Sequence, residues 1–192
     1  MDPRAQAVLD LWFGEAGSPE FGQERTLWWK KKRVVDAMLT ERFGALLEEA
    51  HAGGLREWER TPLGTLALIV LLDQFSRNCY RNTPRAFAGD TRALALARKL
   101  VESGGDLSLP GAYHRAFAYM PFEHDETPES QRESLRLFGK LNDDTGVSSF
   151  YESAVEHADV IERFGRFPHR NRILRREMLP DEEAWLAKHG GF

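Results

Sequence analysis

Signals for the start and the end of α-helices recur along the whole chain, and they constrain its fold more than any other feature. Thr-Pro pairs begin at Thr61, Thr83 and Thr127. A threonine side chain caps a helix start, and proline fits the first helical position because its missing N–H would be unpaired there. Glycine pairs at Gly53 and Gly104 are typical of helix ends. Alternating apolar and polar residues, which would indicate strands, are almost absent. The sequence therefore predicts an all-α protein.

We predict seven to eight helices, with connections short enough to favour antiparallel helical hairpins. The expected ranges are 3–13, 24–53 (whole or broken near residue 42), 62–76, 84–103, 110–120, 128–142, 146–164 and 180–189. The stretch Leu63–Leu72 is apolar on every side, which predicts a buried central helix. It has roughly half of the ~20 residues that a membrane-spanning helix needs. No segment has the composition of a linker, so we expect one helical domain over residues 1–192.

The bulk composition is that of a soluble protein. The net charge of −4 argues against broad binding to nucleic acids or membrane surfaces, so neither is expected as a partner. Cys79 is the only cysteine and cannot form an internal disulfide, which favours a reducing compartment. The first residues lack the pattern of a signal peptide, so we expect a cytoplasmic protein. The sequence does not determine the oligomeric state.

One predicted helix carries a histidine in the stripe that should pack inward. The stripe follows spacings of three and four residues and consists of Val147, Phe150, Ala154, His157, Ile161 and Phe164. Two interpretations of His157 stay open. It is either a core histidine with satisfied ring nitrogens or a ligand-binding group or general base.

A carboxylate follows the apolar central helix on its inward side. Asp73 lies seven residues after Leu66, and Arg77 lies four residues further on, within reach of an ion pair. A buried carboxylate needs such a partner because burying an unpaired charge is costly. The pair either locks neighbouring helices together or marks a site at the end of the central helix. We expect Asp90 to cap the next helix.

The loop expected at 121–128 contains Glu123, His124, Asp125 and Glu126. These are residue types of catalytic and metal sites, but their spacing matches no metal-binding motif, so we predict neither a metal nor another cofactor. The alternative is that the carboxylates favour the start of the helix at 128 through its dipole. Further along, Gln131 continues an apolar stripe and should face inward.

Six arginines lie between residues 163 and 176. Arginine suits bidentate recognition of carboxylates and phosphates. The cluster either binds a small anionic molecule or pairs with Asp73, Glu123 and Glu126. One short cluster is weak evidence for nucleic-acid binding, which we do not expect.

Three segments resemble a bacterial protein family catalogued as domain of unknown function 924. They are LLDQFSRNCYRNTPRAFAGD from residue 71, YMPFEHDETPESQ from residue 119 and HADVIERFGRFPHRN from residue 157. Trp12-Phe13 and the segment GGLREW at 53–58 are also similar. The resemblance covers nearly the whole chain and implies a tetratricopeptide-like, right-handed array of helical hairpins. It implies no particular activity.

The chain departs from the family pattern in three places. Ser76 stands where the family often has proline, and Asn82 where it often has glycine. At 175–179 the usual threonine cap is missing, so we expect Asp181 or a backbone group to begin the last helix instead. The conformation of this turn, and any role of Arg175 and Arg176, are left open by the sequence.

Three functional hypotheses follow from these residues. The first is a binding module for a small anionic ligand or a peptide end, the second is an enzyme with hydrolase-like acid–base chemistry, and the third is a polar network that is purely structural. The catalytic candidates are Glu123, His124, His157 and His169. The ligand-binding candidates are Asp73, Arg77, Asn78, Arg81, Glu126, Arg163, Arg166, Arg170 and Asn171.

Overall fold

The computed structural model describes residues 1–191, and within them the chain forms helices and turns without a β-strand. The all-α prediction is confirmed. The helices are α1 (Pro3–Phe13), α2 (Thr26–Trp29), α3 (Arg33–His51), α4 (Pro62–Ile69), α5 (Ser76–Cys79), α6 (Asp90–Glu102), α7 (Ala112–His124), α8 (Pro128–Thr145), α9 (Ser149–Phe164) and α10 (Pro180–His189). A π-helical segment, Val70–Phe75, joins α4 to α5. Short 3-10 helices cover Arg56–Arg60, Pro84–Phe87, Gly105–Ser108 and Pro168–Arg170.

Two of the three Thr-Pro pairs begin α-helices as predicted. The hydroxyl of Thr61 accepts a hydrogen bond from the backbone N–H of Gly64, and that of Thr127 accepts one from Ser130. Thr83-Pro84 is different, because it leads only into a 3-10 turn and α6 begins at Asp90. The predicted helix over 84–103 is therefore wrong in its first part. Asp90 is not the cap either, because it is the first residue within α6 and Gly89 occupies the cap position. Its carboxylate accepts hydrogen bonds from Arg77.

The helix predicted over 24–53 is interrupted at Lys30–Lys32 and not near residue 42. Lys30 and Lys32 have extended backbone dihedrals, and α3 begins after them at Arg33. A continuous helix would place Lys30 and Arg33 side by side on one face, and like charges at that spacing are unfavourable.

Helix α7 is longer than predicted. It continues through Pro121 to His124, so the loop expected from residue 121 begins four residues later. Proline removes one backbone hydrogen bond from a helix interior, and it is tolerated here close to the end of the helix.

Contacts divide the chain into two compact units. The first unit contains Met1–Arg81 and Arg85–Pro121. Its core includes Trp12, whose ring lies edge-on to Phe75 and Phe117 with centroid distances of 5.4 and 5.6 Å. Leu66–Leu72 is buried on all sides, as predicted for a central helix.

The second unit contains Asn82–Pro84 and the chain from Phe122 onward. Helices α8 and α9 form a hairpin with a short connection, in which Phe138 and Phe150 stack at 5.9 Å. The turn begins at Gly146, whose φ of 75° lies in the left-handed region that favours glycine. The tetratricopeptide-like array and the single domain over 1–192 stay predictions. Within residues 1–191, no helix combines the length and apolarity required to cross a bilayer.

Candidate functional site

The candidates from the central helix lie in the first unit. Asp73 and Gln74 belong to the π-helical segment, and π-helical turns occur frequently at functional sites. Arg77 lies 3.1 Å from the Asp73 carboxylate and also binds both carboxylate oxygens of Asp90, at 2.9 and 3.1 Å. The predicted Asp73–Arg77 pair is therefore present. Although burial opposes it, the two carboxylates raise the pKa of Arg77.

A second ion pair of the first unit involves the other two candidates. Arg81 donates to both oxygens of Asp36, at 2.8 and 2.7 Å, and Asn78 donates to one of them at 2.8 Å. Burial alone would raise the pKa of Asp36, but these hydrogen bonds and the charge of Arg81 lower it. The polar groups of these candidates are thus engaged inside the unit.

In the second unit, the buried Gln131 holds the end of α7. Its amide nitrogen lies 2.9 Å from the carbonyl oxygen of Glu123 and 2.6 Å from that of Asp125. The last carbonyls of a helix have no partner within it, and a side chain that binds them fixes the helix end. The inward orientation predicted for Gln131 is confirmed, since the residue is 3% exposed. Gln131 consequently fixes the backbone that carries Glu123 and His124.

Glu123 and His157 form a buried carboxylate–imidazole pair. The Nδ1 atom of His157 lies 3.1 Å from Oε1 of Glu123 and 2.8 Å from the carbonyl oxygen of Ser153. The Ser153 carbonyl can only accept a hydrogen bond, so Nδ1 carries a proton, and in the uncharged form of the ring the lone pair is on Nε2. Burial alone would raise the pKa of Glu123, but hydrogen bonding to His157 and the nearby imidazoles lower it.

The rings of His124 and Phe167 and the side chain of Arg170 lie around this pair. The ring centroid of His124 lies 6.3 Å from that of His157, and Phe167 meets His157 edge-on at 5.4 Å. Arg170 lies over the Phe167 ring and donates to the carbonyl oxygen of His124 at 2.9 Å. Burial, followed by the charge of Arg170, lowers the pKa of His169 to about 3. His169 is therefore neutral near pH 7.

The candidate Glu126 is bound from two directions. Arg176 donates to its two oxygens at 2.6 and 3.0 Å, in a bidentate pair. The backbone N–H of Phe167 also donates to Glu126, at 2.7 Å. Burial works against ionisation, but these bonds lower the pKa of Glu126. Glu126 therefore connects the end of α7 to the segment after α9.

Glu182 completes a continuous polar network that holds this C-terminal segment. Its oxygens accept from Arg166 at 2.6 and 2.9 Å and from Asn171 at 2.9 Å. Asn171 in turn accepts a hydrogen bond from Arg176 at 2.9 Å. The hydrogen bond with Arg166 is the main cause that lowers the pKa of Glu182. We call Glu126, Arg166, Asn171, Arg176 and Glu182 the C-terminal network.

Glu182 is not among the residues predicted from the sequence, and Arg176 has no predicted role. Glu182 also accepts from the backbone N–H of Leu179 at 2.8 Å, so it begins α10 where we expected Asp181 or a backbone group. A glutamate three residues after the helix boundary is a recognised start signal and would have indicated this contact. No local pattern identifies Arg176, because its partner Glu126 is 50 residues away.

Arg163 differs from the other candidate arginines. Its guanidinium lies over the Phe164 ring, 4.9 Å from the centroid, and it forms no ion pair within the described chain. It lines an open groove of about 490 Å³ in the second unit. The other lining residues are Glu156, Asp159, Val160, Trp185, His189, Gly190 and Gly191.

Aromatic side chains form one wall of this groove. The rings of Trp185 and His189 stack at 4.8 Å, and Trp185 meets Phe164 edge-on at 6.1 Å. His169 lies behind Gly191, where a Cβ atom would come within 2.7 Å of the His169 Cβ. Over residues 1–191, no group of three or more His, Cys, Asp or Glu side chains is arranged to hold a metal ion.

The comparisons agree with the resemblance seen in the sequence. Residues 8–190 match the model of a family described as bacterial proteins of unknown function, DUF924. The chain belongs to this family. It is similar to the solved structure of ATU0120, a protein of unknown function from Agrobacterium tumefaciens. The two are 36% identical, with a TM-score of 0.79 over 95% of this chain and 96% of the other. A comparison with curated proteins found no match.

The structure gives a role to two residues, Asn82 and Ser76, at which we expected departures from the family pattern. Asn82 has a φ of 63°, in the left-handed region that glycine adopts freely and asparagine adopts more readily than most residues. Ser76 donates its backbone N–H to Leu71, and its hydroxyl bonds the His51 ring at 2.8 Å. A proline at this position, with neither an N–H nor a hydroxyl, would form neither of these hydrogen bonds.

Proposed function

We propose that the second unit is a binding module for a small anionic molecule with an apolar or aromatic part. The ligand occupies the groove lined by Arg163, Trp185 and His189. Its carboxylate or phosphate binds the Arg163 guanidinium, and its apolar part packs on the Trp185–His189 stack. The observation that carries the proposal is the position of Arg163, which lines this groove without an ion pair.

The internal pairs of the other candidates support this choice. Arg166 binds Glu182, and Asn171 binds both Glu182 and Arg176. A ligand that displaced these bonds would leave a buried carboxylate unpaired, which is costly. The C-terminal network therefore acts as the frame that holds α10, and with it Trp185 and His189, against α9.

The charges of the groove restrict the class of ligand. Glu156 and Asp159 lie on its rim, and neither forms an ion pair within the described residues. They repel a ligand with several negative charges. They can accept a hydrogen bond from a ligand that also carries a hydrogen-bond donor. A single carboxylate attached to a ring or a short peptide end fits this arrangement.

The test uses benzoate as the probe and benzylamine as its cationic counterpart. Each is titrated into the ¹⁵N-labelled protein while the Trp185 indole N–H signal, assigned with Trp185→Phe, is followed. We expect saturable shifts with benzoate, and we expect Arg163→Gln to weaken binding about tenfold or more, because a charge-assisted hydrogen bond is lost. Arg172→Gln is the matched control, since Arg172 is exposed and lies outside the groove.

Three results would reject the binding module. They are the absence of saturable shifts, benzoate binding that Arg163→Gln leaves unchanged, and preferential binding of benzylamine. The last result would mean that Glu156 and Asp159 determine the ligand.

A second candidate function is acid–base catalysis, favoured by the Glu123–His157 pair. A carboxylate that holds a protonated Nδ1 orients an imidazole as a general base through Nε2. The ¹⁵N shifts of the His157 ring should show the Nδ1–H tautomer in the native protein. Glu123→Gln should disturb this tautomer while the fold is retained, and an Nε2–H tautomer in the native protein would exclude the proposed role.

A further inference from the structure

Four consecutive basic residues follow α2 of the first unit, and the last of them, Arg33, is the first residue of α3. Lys30, Lys31, Lys32 and Arg33 are all exposed. None of their side chains forms a hydrogen bond or an ion pair within the described chain. They are concentrated in a protein whose net charge is −4, so this segment is a local exception to an acidic molecule. We call it the basic segment.

Within residues 1–191, these charges form no ion pair that would stabilise the fold. The basic segment lies at the start of α3, where Lys32 is the boundary residue and no side chain caps the helix. The start of a helix carries a partial positive charge, so cations there are unfavourable. Four side chains of the same sign also repel one another. An arrangement that is unfavourable within the fold and directed to solvent is typical of a surface that meets a negatively charged partner.

Exposed apolar side chains flank the basic segment on both sides. Trp29 precedes it and is 49% exposed, and Val34 follows it and is 72% exposed. The Trp29 indole N–H donates to Glu24 at 2.7 Å, and its ring packs against Phe117 at 6.3 Å. The tryptophan is therefore held in a fixed orientation although half of it faces solvent. Tryptophan beside lysine and arginine is characteristic of side chains at the interface between water and lipid headgroups.

We propose that the basic segment binds the surface of a bilayer that contains anionic phospholipids. The four cations lie at the level of the lipid phosphates, and Trp29 and Val34 enter the headgroup region. Val34 favours a lipid partner over a nucleic acid, because a valine side chain has no apolar counterpart along a phosphate backbone. The acidic charge of the whole chain opposes broad contact with any polyanionic surface, so the contact is confined to the basic segment.

Nearby carboxylates limit the strength of this binding. Glu20 and Glu24 line a groove of about 480 Å³ that also includes Lys32. Asp36, in the first turn of α3, is neutralised by Arg81 and so contributes little repulsion. The binding is consequently peripheral, reversible and sensitive to salt.

The experiment measures co-sedimentation with large vesicles. One preparation contains phosphatidylcholine alone, and the other contains equal parts of phosphatidylcholine and phosphatidylglycerol. We expect the native protein to sediment with the anionic vesicles at low salt and to be released at about 0.5 M salt, where charges are strongly screened. Replacing Lys30, Lys31 and Lys32 by Gln should weaken binding by about 100-fold, since each cation contributes about fivefold.

A matched variant separates the position of the charges from their number. Arg60, Arg172 and Lys188 are exposed cations elsewhere in the chain. Replacing these three by Gln removes the same charge and should leave vesicle binding within about threefold of the native value, since they lie outside the proposed contact. Val34→Ser should weaken binding less than the triple lysine variant, because it removes only one apolar contact.

Several outcomes would overturn the proposal. They are no sedimentation with anionic vesicles at low salt, equal binding by the native protein and the triple lysine variant, and equal loss in both triple variants. Binding of single-stranded oligothymidylate in preference to the vesicles would also overturn it and identify nucleic acid as the partner. Circular dichroism of each variant confirms that the helical fold is retained.

Discussion

Arg176 and Glu126 are 50 positions apart in sequence, and their side chains form a bidentate ion pair with N–O distances of 2.6 and 3.0 Å. Both side chains are about three-quarters buried, with 22% and 26% exposed. The pair joins the end of α7 to the turn before α10. It also supports the backbone of Phe167, which bonds to both residues.

Removal of Arg176 should therefore destabilise the protein. We expect Arg176→Ala to lower the free energy of unfolding by about 1–3 kcal/mol, because Glu126 would keep its charge in a partly buried position without its main partner. Urea denaturation measures the loss. Arg172→Ala is the control, because Arg172 is exposed, and it should change stability by at most about 0.5 kcal/mol. Equal effects of the two substitutions would contradict the role of the pair.

Gln131 should stabilise the end of α7. In Gln131→Leu the carbonyl groups of Glu123 and Asp125 lose the donor that now lies 2.9 and 2.6 Å away. Buried carbonyls without a donor cost about 1–3 kcal/mol, and we expect the free energy of unfolding measured by urea denaturation to fall by that amount. Amide hydrogen exchange should also become faster around residues 123–126. Unchanged exchange there would show that another group fixes this helix end.

His169 should make stability depend on pH in the weakly acidic range. Its folded pKa is lowered from 6.5 to about 3, mainly by burial, so the unfolded chain takes up a proton that the folded protein does not. Its contribution to stability is complete above pH 6.5 and is lost progressively as the pH falls toward 3. The slope from one such group is at most about 1.4 kcal/mol per pH unit.

Unfolding free energies measured between pH 7 and 5 test this pH dependence directly. His169→Gln should make the unfolding free energy depend less on pH. His114→Gln should act in the same direction because burial lowers the pKa of His114 to about 4. A steeper decline below the ordinary glutamate pKa of 4.5 belongs instead to carboxylates such as Glu182, whose pKa is lowered. A slope in His169→Gln equal to that of the native protein would contradict this assignment.

Asn82 should tolerate glycine but not alanine. Its φ of 63° costs a residue with an ordinary side chain about 1–2 kcal/mol, glycine almost nothing and asparagine an intermediate amount. Asn82→Gly should therefore leave the urea midpoint unchanged or raise it slightly, and Asn82→Ala should lower it. Glu162→Ala, at an exposed position of α9 without an ion pair, is the control for alanine substitution itself. A lower midpoint for Asn82→Gly than for Asn82→Ala would refute this explanation.

The inward polar residues were largely predictable, whereas most of their partners were not. The spacing around His157 correctly indicated a buried face, and the spacing of Asp73 and Arg77 correctly indicated a pair. The second partner of Arg77, Asp90, was predicted to be a helix cap. Its role as an ion-pair partner depends on how α6 packs on the central helix, and no periodicity within a single helix contains that information.

By itself, the sequence determined the all-α fold class, two Thr-Pro helix starts and the inward faces, because these signals act within one or two helical turns. The tertiary structure alone decided that Arg176 pairs with Glu126, that Glu182 begins α10, and that Arg163 stays without an ion pair while its neighbours are paired. The physical reason is the separation in sequence over which each kind of interaction acts. Caps and periodicity relate residues within about two helical turns, whereas an ion pair such as Arg176–Glu126 forms only when packing brings distant segments within about 3 Å of each other.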